Sequence, residues 1–219
     1  MKVIASARPH VHHEPMPWLV AVDIAYTMHC MGYPRRAAQL LLAWRVGLRP
    51  SEFVALRGGD LYSRQRHQWA AAASFLRLGT GPRGTKAGRP QIVRAYPGDA
   101  AASWLIDSFA FSTPPNSHLS DIHTFQGFSR FFRVAADRTG YVGRYSLHCA
   151  RAGWASWRYA AGQPFADLQE DGRWRSPAAL RVYLDVVAAV DTFADPDIGR
   201  RLPYMQSLEA SLPRWLIFF

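Results

Sequence analysis

The sequence predicts a mainly α fold of the α+β class, a helical domain carrying one small three-stranded antiparallel sheet. Three observations predict it. Long stretches repeat apolar residues at helical spacing. Strand-like texture, punctuated by turn residues, is confined to about residues 57–96. Strands and helices do not alternate along the chain, which argues against a doubly wound sheet. At 219 residues and 49% hydrophobic content, the chain is long and apolar enough to fill one sizeable core.

Residues 1–16 read as a polar, Pro-punctuated tail without a signal-peptide core. His10, His12, His13 and Glu14 within it have the chemistry to hold a stray metal ion, but the tail is the better reading and no metal site is assigned. Residues 17–32 and 34–47 read as helices split near Gly32-Tyr33-Pro34. In the second, Ala37, Leu40, Leu41, Trp44 and Leu48 recur at helical spacing and face a core. Pro50 suits the first turn of a short helix through Leu56. A first strand is expected near Asp60 to Tyr62. Two more flank a Gly-rich turn, one ending at Leu78 and one in QIVRAY. Helices follow at about 98–111, 122–139, 146–162, 164–171 and 177–193, and a last stretch, 203–219, ends in RWLIFF. Residues 17–195 are expected to form the domain, with 196–219 as a C-terminal extension.

The net charge of +10 and a pI of about 10.2 favour a polyanionic partner over a small neutral substrate. Between Arg35 and Arg94 twelve basic residues face only Glu52 and Asp60, which suits a phosphate-tracking face. Only Lys2 and Lys86 among the 26 basic residues are lysines. A lysine kept in so arginine-rich a chain suggests a task arginine cannot do, since an ammonium can give up its proton. Cys30 and Cys149 match no metal or redox spacing and read as free thiols in a reducing compartment. No apolar run reaches the roughly 18 residues of a membrane span.

Gly79, Gly81 and Gly84 spell GxGxxG, with Asp99 20 residues after Gly79. A dinucleotide loop must run directly into a helix, and here Gly88 and Pro90 break any helix. The P-loop pattern also fails, because Thr85-Lys86 stands where Lys-Ser or Lys-Thr is required. The glycines are therefore read as a turn that presents Lys86, and no cofactor is assigned.

Four separated stretches carry the candidate chemistry. Arg49 stands at a helix start, with Glu52 three residues on to buttress it or cap the turn. Lys86 lies at the sheet turn, flanked by Arg83 and Arg89. His148 and Arg151 share one helix face. Ser176 is a natural N-cap and Pro177 a natural first helical residue, so the following helix is expected to carry Tyr183 on its second turn, with Trp174 upstream.

Together these stretches resemble the catalytic domain of the tyrosine recombinases, the phage-integrase family of DNA strand transferases. The matching residues are Arg49-Pro50-Ser51-Glu52 with Leu56-Arg57 and Asp60, then Thr85-Lys86-Ala87-Gly88, then His148-Cys149-Ala150-Arg151, then Trp174 nine residues before Tyr183. Their order over roughly residues 20–190 is the family's order. There are departures. Ala152 stands where the family often has His, and the Leu-Gly-His/Trp step reads Asp171-Gly172-Arg173-Trp174. Little more than fifteen residues precede the first expected helix, where most of the family carry a core-binding domain, so either DNA grip is expected from a separate domain or chain, or the sequence is a fragment or a minimal enzyme.

The resemblance implies a tyrosine-recombinase-like DNA breaking-rejoining fold. It also implies an enzyme that cuts and rejoins double-stranded DNA through a 3′-phosphotyrosyl link, with no metal or nucleotide cofactor. Tyr183 would be the nucleophile. Arg49 and Arg151 would clamp the phosphate, His148 and Trp174 would assist them, and Lys86 would protonate the leaving oxygen. Glu52 would support Arg49, while Arg83 and Arg89 would touch the DNA backbone. Alternatives are a regulatory relative that binds DNA without cleaving it and a type IB topoisomerase-like enzyme. RWLIFF is read either as docking on a neighbouring protomer on DNA or as packing on its own domain. The expected location is intracellular and DNA-associated: cytoplasm or nucleoid, or nucleus in a eukaryote.

Overall fold

The computed structural model describes residues 14–64, 74–79, 90–96, 98–184 and 191–217. It is mainly helical with one three-stranded antiparallel sheet, as expected. In chain order come α1 (Trp18–Cys30), α2 (Pro34–Arg45), α3 (Pro50–Ala55), a 3-10 turn (Gly58–Asp60), β1 (Leu61–Tyr62), β2 (Phe75–Leu78) and β3 (Gln91–Arg94). They are followed by α4 (Ala100–Ser112), α5 (Phe125–Thr139), α6 (Leu147–Ala160), α7 (Phe165–Asp171) and α8 (Pro177–Arg181). A 3-10 turn (Thr192–Ala194), α9 (Pro196–Gly199), α10 (Leu202–Ala210) and α11 (Leu212–Trp215) complete the described elements.

Helix α1 is the centre of the core. It packs against α2, α5 and α10, so Val20, Ala21, Val22, Ile24, Ala25 and Met28 are all buried. A helix surrounded by protein needs little amphipathic contrast. Gly32 turns the chain into α2 at φ +88, where a side chain would be strained, and Pro34 opens the new helix. Asp23 is the buried charge of α1. Tyr141 Oη donates to it at 2.9 Å and Arg201 Nη2 at 2.9 Å. Burial pushes its carboxyl up, and the two donors oppose that. This contact ties α10 to the core.

The sheet runs in the order β1-β2-β3. Leu61 pairs with Leu76 and Leu76 with Val93, which puts these buried residues on the face toward α4. Ser74 fastens that face by donating to Asp107 of α4 at 2.8 Å. The opposite face holds Arg77, Arg94 and Ile92, the last 59% exposed, with Tyr62 stacked on Phe75. Lys86, Arg83 and Arg89 lie outside the described residues, as do His10, His12 and His13, whereas Glu14 pairs with Arg144 at 2.8 Å.

Four expectations need correction or sharpening. The helix expected over 177–193 is interrupted after Arg181, and residues 185–190 lie outside the described residues. Tyr183 N donates to Leu180 O and Leu184 N to Arg181 O, a tightened 3-10-type turn, so Tyr183 follows the helix instead of riding its second turn. The helix expected from 122 begins at Phe125, because Thr124 caps it by accepting from Gly127 N.

The phosphate-tracking face is thinner than the charge count suggested. Arg35 donates to Leu119 O and to Ser112 and Thr113 hydroxyls, Arg36 pairs with Asp121, and Arg45 lies over Trp18 between Asp99 and Glu209. These arginines are structural. Finally, Leu212 and Leu216 of the C-terminal stretch are buried in the chain's own core, and Trp215 Nε1 donates to Leu208 O at 2.8 Å. Ile217 remains 55% exposed. Both cysteines are free thiols. Among the described residues no helix is long and apolar enough to cross a membrane.

Candidate active site

The site begins where α3 starts. Pro50 occupies the first helical position, which leaves Arg49 in extended backbone at the cap. Glu52, one turn in, reaches back and accepts from Arg49 N at 2.8 Å. Its other oxygen accepts from Arg49 Nη1 at 2.6 Å. Glu52 therefore both caps the helix and aims the guanidinium.

Arg151 rises from α6 and is 1% exposed. Its Nη1 donates to Gly47 O and its Nη2 to Gly172 O. Gly47 can approach so closely because it lacks a side chain. Its φ is +62, and a Cβ there would lie 2.4 Å from the Trp154 ring. Burial, then the nearby Arg173 and Arg49, push the Arg151 guanidinium down to about 9, so it stays charged at neutral pH. His148, one turn earlier on α6, is half-buried with its ring 6.0 Å from Phe125.

The turn between α7 and α8 supplies the next groups. Arg173 takes φ +59, the one positive φ at a non-glycine residue among those described. Its carbonyl accepts from Arg49 Nη2 at 2.9 Å, and its own Nη2 donates to Glu52 at 2.6 Å. Trp174 is 9% exposed. Its ring lies 4.1 Å from Arg151 Cζ, stacks on Trp154 at 6.1 Å and tilts toward Tyr183 at 5.3 Å. Ser176 then accepts from Ala179 N and Pro177 opens α8, as expected. Ser156 of α6 donates to Tyr183 O at 3.1 Å and fixes the residue after the helix.

One cavity of about 710 Å³ is lined by Arg49, Arg151, Trp174 and Tyr183, together with Arg173, Arg175, Gln91 and Gln169. Four sequence-predicted residues from three separate stretches thus converge. His148 lies outside this lining although it shares a helix with Arg151. Glu52 stands behind the lining. Burial alone would push its carboxyl up. Arg173, the Arg49 backbone N–H, the Arg49 side chain and Arg151 outweigh that and hold it below the usual carboxylate range.

This arrangement of elements has counterparts. The structure of the XerA recombinase matches with a TM-score of 0.61 at 16% identity, over 87% of this chain and 66% of that one. The fold is recombinase-like. The integrase from mycobacterium phage Brujita matches at TM-score 0.54 and 21% identity, over 84% of this chain and 54% of that one. The XerH site-specific recombinase, bound to palindromic difH substrate in a post-cleavage complex, matches at 0.57 and 11%, over 78% of this chain and 49% of that one. The chain thus spans between 49% and 66% of the length of these proteins. No protein-family model matches the chain, and no curated protein matches it.

Sequence reasoning missed Arg173. It occupies the step where the Leu-Gly-His/Trp pattern was interrupted, and that interruption was the available signal. It also missed Gln91, the first residue of β3, which lines the cavity. In sequence Lys86 falls between Leu78, which ends β2, and Gln91, which begins β3, and it lies outside the described residues.

Proposed function

We propose that this chain cuts and rejoins DNA through a covalent link to Tyr183. The observation that carries the reading is the shared cavity, where a tyrosine meets two guanidiniums brought from α3 and α6. Tyr183 Oη attacks the scissile phosphorus, and the bond to the 5′-oxygen breaks. A 3′-phosphotyrosine remains, and the phosphodiester energy is kept for rejoining. Arg49 and Arg151 neutralise the non-bridging oxygens as charge gathers on them. His148 donates to the same phosphate or takes the tyrosine proton. Trp174 orients the Arg151 guanidinium and supports the turn that holds Tyr183.

Lys86 belongs to the segment between Leu78 and Gln91, and Gln91 lines the same cavity. In this reading Lys86 protonates the departing 5′-oxygen. An ammonium, unlike a guanidinium, can give up its proton, which suits that transfer. Rejoining runs the same steps backward. Double-stranded DNA is the substrate, with Arg83 and Arg89 on its backbone, and a separate domain or chain completes the grip. Self-association on DNA, if it uses the C-terminal segment, has Tyr204 and Ile217 as exposed apolar contacts among the described residues.

The test is an end-labelled library of nicked, random-sequence duplexes in which the cut strand loses its short 5′-hydroxyl product. An SDS-resistant label on the protein is expected. DNA retention without any covalent label would replace this reading with that of a non-cleaving DNA-binding relative. Relaxation of supercoiled plasmid without site preference would favour the topoisomerase-like variant of the same chemistry.

A further inference from the structure

We infer that Arg173 is a positioning residue of this site, a third guanidinium that locks Arg49 in place through a closed ring of hydrogen bonds. The inference rests on the strand-transfer reading above. The ring has three members. Arg49 Nη1 donates to Glu52 Oε1 at 2.6 Å, Arg173 Nη2 donates to Glu52 Oε2 at 2.6 Å, and Arg49 Nη2 donates to the Arg173 carbonyl at 2.9 Å. Each member therefore holds the other two. Arg49 alone on Glu52 would keep the freedom to swing about one contact. With the second anchor its plane is fixed while part of its edge still faces the cavity.

The backbone supports the same conclusion. Arg173 adopts a left-handed conformation that disfavours a long side chain. In that conformation its carbonyl accepts from Arg49 while its side chain doubles back to Glu52. Glycine or asparagine would sit there with less strain. The Arg173 side chain is 6% exposed, and its Nε is buried with no hydrogen-bond partner. Such a group is expensive to bury. Solvation does not explain it, whereas fixing Arg49 does.

The charge balance also matters. Arg49, Arg151 and Arg173 surround the single carboxylate of Glu52. Removing Arg173 takes away the strongest of the cations that keep Glu52 ionised. The Glu52 pKa then rises, and the ring fails at a higher pH than in the native protein.

Two variants separate the side chain from the backbone. Arg173→Asn tolerates the left-handed conformation, keeps the carbonyl and loses the guanidinium. Arg173→Lys keeps the charge and loses the fork. On the nicked library, Arg173→Asn is expected to form adduct about ten-fold more slowly or worse, with DNA affinity within about three-fold. Its acid limb should move to higher pH, and Arg173→Lys should recover part of the rate. A native rate and pH profile in Arg173→Asn would overturn the inference. A second readout needs no cleavage. The carboxyl carbon of Glu52, followed by carbon-13 NMR against pH, should titrate higher in Arg173→Asn than in the native protein, and an unchanged titration would overturn the inference. Absence of adduct in the native protein, by contrast, strikes the strand-transfer reading and leaves the NMR comparison to decide the role of Arg173.

Discussion

The Trp174 ring stands 4.1 Å from the Arg151 guanidinium carbon and covers part of that cation beside the cavity. The indole face offers its negative quadrupole to the charge, and Trp154 stacks on that indole. Trp174→Ala should destabilise the fold by about 3–5 kcal/mol through the lost packing. Trp174→Phe should lose clearly less, because a ring still covers the cation. Urea unfolding of the three proteins checks the order.

Tyr183→Phe removes one oxygen from a residue whose backbone is held by Ser156. Its fold and DNA affinity should stay within a few-fold of native, while the covalent adduct disappears. An adduct in this variant, detected by SDS gel, would point to another nucleophile.

Glu52 links acidity to stability. Its pKa is lowered in the folded state, so its contribution is present above the ordinary glutamate range and is lost as pH falls through the lowered value. Glu52→Gln should be less stable than native by about 3 kcal/mol at neutral pH, since it leaves two guanidiniums short of their carboxylate. The gap should narrow as pH falls below the ordinary glutamate range and close only below the lowered value, where both proteins hold a neutral side chain. Denaturant titrations at pH 7 and in the acid range measure it.

Clustered cations await an anion. Burial and the two neighbouring arginines disfavour charge on Arg151, so a bound oxyanion should relieve that strain. Inorganic phosphate or vanadate should raise the melting temperature in a saturable way, relative to chloride at equal ionic strength. Arg151→Gln should abolish that response. An equal shift in both proteins would show the effect to be nonspecific.

The C-terminal stretch divides at one residue. Leu216 is fully buried and Ile217 is 55% exposed. Leu216→Ala should cost about 2–5 kcal/mol, whereas Ile217→Ser should stay within about 0.5 kcal/mol. If Ile217 meets a neighbouring protomer, its substitution should instead weaken assembly on DNA, read by analytical ultracentrifugation with a cognate duplex.

Much of the fold was legible because local signals agreed with the tertiary outcome. Ser176-Pro177 opened a helix where expected, and Glu52 capped the helix that follows Arg49. The end of α8 was not legible. Residues 177–193 keep an apolar helical rhythm throughout, while the turn at Tyr183 is set by a hydroxyl on α6. The basic face misled for a similar reason. Arg36 finds Asp121 at a separation of 85 residues, far outside any local window. Arg173 was hidden by abundance. In a chain with 24 arginines, one more carries no mark until a positive φ and a carboxylate single it out.

Residues 14–17 cross α6 at Gly153, where a Cβ would fall 1.9 Å from Met16 O. Met16 N donates to Cys149 O, and Trp44 Nε1 donates to Met16 O. Cys149 sits between His148 and Arg151. The strap is thus tied by backbone to the helix that carries those two residues. Glycine at 153 is the condition of that crossing, so any larger residue there would pry the strap from the helix of the candidate site.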